Sequence, residues 1–180
     1  MKDFSIDTIK SICTRLTVHG GQQRNPIGIP FIDQRLDEYQ AKWNGAHAYY
    51  NVLHAICAEL KPNVVLEVGG WTGTSAACMA AGNPQGTVLT IDHHSDPGDE
   101  INKARMLEAV AEYPNIMYFQ GCSTEKVTKE KPGTKCVYED VVKFLDGRGI
   151  DIFFCDGWHF SQMAQADFDT YFPHLARPGL

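Results

Sequence analysis

The sequence predicts an α/β fold with a doubly wound, mostly parallel sheet in the strand order 3-2-1-4. Short β-branched or apolar runs alternate with helical segments, a pattern typical of right-handed strand–helix–strand units. The length of 180 residues suits one hydrophobic core, and 43% hydrophobic with 21% charged residues is typical of a globular domain. Ligands on such a sheet bind beyond the carboxyl ends of the strands, where the winding direction reverses.

The first part of the chain is predicted to be mainly helical. Apolar residues recur at helical spacing on either side of a segment rich in proline and glycine. In order, the predicted elements are a helix within residues 1–20, a loop over 21–33, a short helix over 39–43 and an amphipathic helix over 46–60. Residues 1–45 are therefore assigned to an N-terminal helical cap, and residues 46–180 to the domain that contains the sheet.

From residue 64 onward, strands and helices alternate regularly. The predicted strands cover residues 64–68, 87–91, 116–119 and 150–155, and the predicted helices cover 74–81, 100–112, 138–145 and 161–175. The lysine-rich residues 124–136 are predicted to form an exposed loop, because they are polar and contain Pro132 and Gly133. The strand over 150–155 is apolar on both faces, as expected of a central parallel strand.

Composition argues against several classes of partner. With a formal net charge of −6, the chain has no general attraction to phosphate backbones or anionic lipids. The six cysteines form no C-x-x-C pair and no zinc-binding spacing, so they are interpreted as reduced thiols. The start of the sequence has no secretory signal pattern, and no apolar run approaches the ~18 residues of a membrane span. We expect a cytoplasmic protein that binds neither nucleic acid nor membrane.

The strongest chemical signal is the glycine-rich turn Glu67-Val68-Gly69-Gly70-Trp71-Thr72-Gly73 after the first strand. Asp92 ends the second strand and follows Gly69 by 23 positions, which suits a carboxylate that accepts ribose hydroxyls. Trp71 stands where a dinucleotide-binding G-x-G-x-x-G turn has its middle glycine, and the turn contains no lysine or arginine. A diphosphate is therefore a poor ligand, and a cationic nucleoside without phosphate fits better.

In this turn the chain resembles the methyltransferases that use S-adenosylmethionine (SAM) and have the seven-stranded Rossmann-like fold. Their first motif is an acidic residue followed by x-G-x-x-x-G, which Glu67, Gly69 and Gly73 match. Their second acidic position, which binds ribose, is matched by Asp92. The resemblance covers about residues 46–180.

Three later segments resemble a small-molecule branch of this family, which includes O-methyltransferases of secondary metabolism and cephalosporin-hydroxylase-like proteins. Residues 151–160 resemble its I-D-G-x-H-x-Y segment, and residues 167–179 resemble its D-x-x-x-x-x-P-x-L-x-P-G-G ending. Residues 121–125 resemble its G-D-S-x-E segment, although Cys122 replaces the polar residue that the family often has near adenine.

The resemblance implies a SAM-dependent enzyme that methylates a hydroxyl or an amine of a small molecule. His159 and Asp156 are the predicted catalytic residues, with His159 as a general base and Asp156 as a ligand of Mg²⁺ or another divalent metal. The predicted cofactor-binding residues are Glu67, Gly69, Gly70, Trp71, Gly73, Asp92, Cys122, Ser123 and Asp156. Glu67 is expected to favour the cationic end of SAM, and Gly69 and Gly73 to leave room for its amino-acid portion.

Relatives continue beyond the last predicted helix into further strands that this sequence lacks. We therefore expect the outer edge of the fourth strand to be covered by an N-terminal segment or a second subunit, or the chain to be a fragment. Two alternatives remain: a non-catalytic SAM-binding or interaction protein, and a nicotinamide-dependent oxidoreductase, against which Trp71 argues. His93 and His94 are interpreted as solvated loop histidines.

Overall fold

Four parallel strands form the centre of the fold in the order β3-β2-β1-β4. They are seen in a computed structural model that describes residues 6–17, 27–43 and 49–176. The strands are β1 (Val64–Val68), β2 (Thr87–Asp92), β3 (Ile116–Gln120) and β4 (Ile152–Cys155). The predicted fold class and strand order are therefore confirmed.

Helices cover both faces of the sheet. They are α1 (Ile6–Thr17), α2 (Pro30–Trp43), α3 (Tyr49–Leu60), α4 (Thr74–Gly82), α5 (Asp99–Glu112), α6 (Glu125–Glu130), α7 (Tyr138–Leu145) and α8 (Ser161–Tyr171), with a 3₁₀ turn at Phe172–His174. Side chains alternate between the faces of a strand. Val65 accordingly packs with α2, α3 and α4, whereas Leu66 packs with α7 and with Tyr171 of α8.

The helix α2 begins at Pro30, so the predictions of a loop over 21–33 and a short helix over 39–43 were wrong about where this helix starts. Proline is favoured in the first turn of a helix, because its missing N–H is not needed there. Asp33 accepts hydrogen bonds from the backbone N–H groups of Ile27 and Gly28, each at 2.9 Å, and Ile32 is fully buried. Residues 21–26 of the predicted loop lie outside the described part of the chain.

Residues 124–136 contain the short helix α6, so the prediction that this whole segment is a loop was wrong. The Thr124 side chain caps this helix by accepting the Val127 N–H at 3.2 Å. Val127 is buried against Cys122 and Met163. One cap and one apolar contact thus order a segment whose many lysines suggested a loop.

The strand β4 is shorter than predicted and lies at the edge of the described sheet. Ile150 forms an isolated bridge with Leu175, and the strand itself starts at Ile152. Cys155 is exposed, although its apolar surroundings in the sequence suggested a core position. In residues 49–176, no strand pairs with the outer edge of β4, so a partner for this edge stays a prediction.

The helices α1 and α2 lie against the rest of the domain. α1 contacts α3, and α2 contacts α4, where Leu36 joins the core. The assignment of residues 1–45 to a separate cap is an interpretation that these contacts leave open. None of the helices in the described ranges is long and apolar enough to cross a membrane.

Candidate active site

A cavity of about 740 Å³ lies at the carboxyl ends of the four strands. Its walls come from the turns after each strand and from the start of α3. This volume suits a small organic ligand, and the position is the one expected for a doubly wound sheet. The predicted site residues that line it are Gly69, Gly70, Trp71, Asp92, Cys122, Ser123, Asp156 and His159.

The glycine-rich turn after β1 passes very close to the end of β4. Gly69 has φ +91°, and a Cβ there would lie 2.2 Å from the carbonyl oxygen of Asp156. Gly73 has φ +75°, and a Cβ there would meet Met106 and Ala109 of α5 at 3.0 Å. Gly73 therefore makes room for a helix and does not line the cavity, which differs from its predicted role of making room for a ligand.

Glu67 lies behind this turn and not in the cavity wall. It is fully buried, and its Oε2 accepts a hydrogen bond from the Thr90 hydroxyl at 2.6 Å. Its Oε1 has no hydrogen-bond partner among the described residues. Burial raises the pKa of Glu67 to about 7, against the lowering effect of the Ser75 and Thr90 hydroxyls. A cation bound beside the turn would favour the ionised form of Glu67, and the unpaired Oε1 is an acceptor for it.

Asp92 joins the turn after β2 to the turn after β1. Its Oδ2 accepts the Trp71 backbone N–H at 2.7 Å, and its Oδ1 accepts the His94 backbone N–H at 3.1 Å. Ionised carboxylates have about four lone-pair sites, so two remain for a ligand. The carboxylate is thus held at the cavity wall in a fixed orientation.

His94 is not the solvated loop residue that the sequence suggested, since only 8% of it is exposed. Its Nε2 lies 2.5 Å from the Trp71 carbonyl oxygen, and its Nδ1 lies 2.6 Å from the Tyr118 hydroxyl. His93 is more exposed and bonds to Ser95. The sequence pattern His93-His94 carried no signal that distinguishes the two.

The turn after β3 contributes Cys122 and Ser123, which are both buried and line the cavity. The Ser123 hydroxyl donates to Asp167 Oδ1, and Tyr171 donates to the Ser123 carbonyl at 2.9 Å. Burial raises the pKa of Asp167, which the Ser123 hydroxyl opposes. Asp167 lines the cavity too, and sequence analysis did not select it as a site residue.

At the end of β4, one carboxylate lies between a phenol and an imidazole. The Tyr49 hydroxyl donates to Asp156 Oδ2 at 3.3 Å, and His159 Nε2 lies 3.5 Å from Asp156 Oδ1. Burial, followed by the nearby Asp156, raises the pKa of Tyr49 to about 12, so its proton is retained at neutral pH. An imidazole beside a carboxylate at a cavity mouth is suited to accept a proton from a bound hydroxyl. Tyr49 comes from α3, far away in sequence, and was not predicted.

Residues that could ligate a metal ion cluster elsewhere in the cavity. His93, Asp96 and Asp99 have potential ligand atoms within 4.8 Å of one another. The Lys131 ammonium lies 2.7 Å from both oxygens of Asp96 and already balances that charge. Among residues 49–176, no such group of three includes Asp156. The metal role of Asp156 therefore stays a prediction.

The cavity is strongly negative. Among its described lining residues, Lys131 is the only lysine or arginine. The carboxylates that line it are Asp92, Asp96, Asp99, Asp156 and Asp167. Such a wall repels phosphate and attracts a ligand with positive charge, as the composition of the glycine turn predicted.

Comparison with known proteins yields one family and several similar folds. The profile of a family described as "Methyltransferase domain" matches residues 66–180. A putative caffeoyl-CoA O-methyltransferase from Staphylococcus aureus superposes with a TM-score of 0.59 at 16% identity, covering 94% of this chain and 70% of that one. Among curated protein sequences, the comparison found no relative.

Two further solved structures share the fold. An O-methyltransferase from Bacillus cereus, solved with S-adenosylhomocysteine (SAH), has a TM-score of 0.55 at 16% identity, covering 97% of this chain and 72% of that one. The O-methyltransferase TomG from Streptomyces achromogenes, solved with SAM, has a TM-score of 0.52 at 16% identity, covering 98% and 72%. At such identities the likeness is one of fold.

Proposed function

The chain belongs to the methyltransferase-domain family, and on that premise we propose that its cavity binds SAM and transfers the methyl group to a small molecule. The observation that carries the proposal is the pairing of the glycine-rich turn with Asp92 in one negatively charged cavity. Two O-methyltransferases with the same fold were solved with SAM or SAH, which supports this choice of ligand.

The residues present fit a cationic nucleoside. Asp92 keeps acceptor sites for ribose hydroxyls at the wall of the cavity. Glu67, buried behind Gly70 with an unpaired Oε1, can ionise near neutral pH and would then place negative charge near the turn without occupying the cavity. We propose that Gly69, Gly70 and Trp71 contact the cofactor through their backbone. Bound SAM would supply the electrophilic methyl group.

The protein's own contribution is proposed to be orientation and proton transfer at the end of β4. His159 Nε2 faces Asp156 at 3.5 Å. Nδ1 of the ring is therefore the atom that takes the proton from the substrate group to be methylated. Asp156, itself held by Tyr49, orients the imidazole and stabilises its protonated form. Asp156 and His159 would thereby position an acceptor at the cavity mouth, and positioning of this kind can account for much of a rate gain.

A small acceptor is favoured over a macromolecule. About 740 Å³ accommodates a nucleoside-sized cofactor together with part of a small substrate. The net charge of −6 disfavours a nucleic-acid substrate. We propose a hydroxyl as the acceptor group, with an amine as the other choice, because His159 is placed to remove a proton.

Two other functions were open on the sequence alone. The nicotinamide alternative is disfavoured by Trp71 in the turn and by the family to which the chain belongs. The non-catalytic alternative predicts SAM binding without turnover.

The experiment that tests the proposal is a methyl-transfer assay with labelled SAM and a panel of phenols, catechols, aliphatic alcohols and amines. Transfer of the label to an acceptor would support an enzyme. A lower rate of transfer in a His159→Asn variant that still binds SAM would support this site. Tight binding of SAM with no transfer to any acceptor would favour the non-catalytic alternative.

A further inference from the structure

We infer that His94 is a positioning residue, which holds the backbone of Trp71 in the shape that binds the cofactor. The inference rests on the proposed function. It adds a residue that neither the glycine turn nor the family match identifies.

Both polar backbone groups of Trp71 contact side chains at the end of β2 and just after it. Its N–H donates to Asp92 Oδ2 at 2.7 Å, and its C=O lies 2.5 Å from His94 Nε2. The Asp92 carboxylate in turn accepts the His94 N–H at 3.1 Å. Two side chains, that of the last residue of β2 and that of His94 two positions later, thus fix a single residue of the neighbouring turn.

The backbone conformation shows why such fixing is needed. Trp71 has φ +43° and His94 has φ +42°, in the left-handed region that non-glycine residues seldom occupy. Residues in this region are maintained by the contacts around them, and they concentrate at functional sites. Without the His94 contact, the turn is free to relax towards a more common conformation.

The contacts also determine which ring nitrogen carries the proton. A carbonyl oxygen can only accept, so His94 Nε2 must donate to Trp71. In the neutral ring, Nδ1 is then an acceptor. The Tyr118 hydroxyl lies 2.6 Å from Nδ1 and 3.3 Å from the Asp92 carbonyl oxygen, and the shorter contact favours donation to Nδ1. Burial raises the pKa of Tyr118, so its hydroxyl keeps the proton that it donates. Tyr118 therefore supports the tautomer that the Trp71 carbonyl requires.

If residue 94 must donate an N–H to the Trp71 carbonyl, variants at this position should differ in their affinity for SAM. His94→Phe keeps the ring volume and removes the donor. His94→Gln keeps a donor at the reach of Nε2. A matched control is His174→Phe, since His174 Nε2 also bonds a tyrosine hydroxyl, that of Tyr138 at 3.0 Å, but lies outside the cavity.

The test measures the Kd for SAM and for SAH by calorimetry, with thermal unfolding as a check on folding. We expect His94→Phe to raise both Kd values about tenfold, which corresponds to about 1.4 kcal/mol. His94→Gln is expected to restore them to within about threefold, and His174→Phe to leave them unchanged.

Three results would overturn the inference while the proposed function stands. The first is a SAM affinity in His94→Phe equal to that of the unaltered protein. The others are a loss of SAM affinity in His94→Gln, or in His174→Phe, as large as that in His94→Phe. If His94→Phe does not fold, Tyr118→Phe takes its place, with an expected rise in Kd of about threefold; no rise would overturn the inference. An unaltered protein that binds no SAM would overturn the proposed function itself.

Discussion

The Asp92 carboxylate accepts the backbone N–H of Trp71 at 2.7 Å, so the end of β2 holds the turn that follows β1. Both walls of the proposed ribose site therefore depend on one side chain. In a sheet ordered β3-β2-β1-β4, these two turns are neighbours at the point where the winding reverses.

Asp92→Asn is expected to raise the Kd for SAM at least about tenfold, because it removes the charge and part of the acceptor capacity. The matched control is Asp151→Asn. Asp151 also accepts two backbone N–H groups, those of Asn63 and Val64, but at the amino end of β1. Calorimetry with SAM distinguishes the two, and equal losses in both variants would contradict the ribose assignment.

Glu67 is expected to make stability depend on pH. Its pKa is raised by burial from 4.5 to about 7, so the folded state holds a proton that the unfolded state releases. The free energy of unfolding should therefore fall as the pH rises from about 5 to 7, by up to about 3 kcal/mol, and level off above that. Urea unfolding at about pH 5 and 8 measures this change. Glu67→Gln should reduce the fall, whereas a variant with the same fall would show that other groups cause it.

Arg35 from α2 is expected to be important for stability. Its side chain is 6% exposed, and its guanidinium donates to the carbonyls of Thr72 and Arg105 at 2.6 and 2.7 Å. Arg35→Met leaves these carbonyls without this donor and should lower the free energy of unfolding by about 3 kcal/mol.

The control for that prediction is Arg148→Met. Arg148 also donates to two carbonyls, and it lies over the Phe144 ring at 5.1 Å as Arg35 lies over the Phe31 ring at 4.5 Å, but Arg148 is exposed. Arg148→Met should lower the free energy of unfolding by less than about 1 kcal/mol. Chemical unfolding of both variants gives the comparison, and similar losses would contradict the role given to the buried guanidinium.

His159→Asn is expected to lower kcat for an acceptor hydroxyl by about 10²-fold or more, with little change in the Kd for SAM. The His159 side chain is 83% exposed, so the substitution should leave stability unchanged. Steady-state kinetics with an acceptor found in the panel test this. A variant with full kcat would assign the proton transfer to another group or to water.

The sheet could be predicted because its determinants are local. The β-branched run of β1 and the apolar run of β2 each precede a turn, and this pattern alone gives a parallel sheet with a cavity at its carboxyl edge. Gly69 and Asp92 follow from the same pattern, since each ends a strand.

The remaining parts of the site depend on contacts between distant residues. Tyr49 meets Asp156 across 107 positions, and Arg35 meets Thr72 across 37. No local spacing predicts such pairs. Only its burial in the folded protein distinguishes His94 from the adjacent His93. The start of α2 at Pro30, by contrast, had a signal in the sequence that the surrounding glycines and prolines obscured.

The most direct test of the central claim is a calorimetric titration of the unaltered protein with SAM, alongside NAD as a comparison ligand. Saturable binding of one SAM per chain in the micromolar range, with no binding of NAD, is the predicted result. No binding of SAM at millimolar concentration by folded protein would contradict the account.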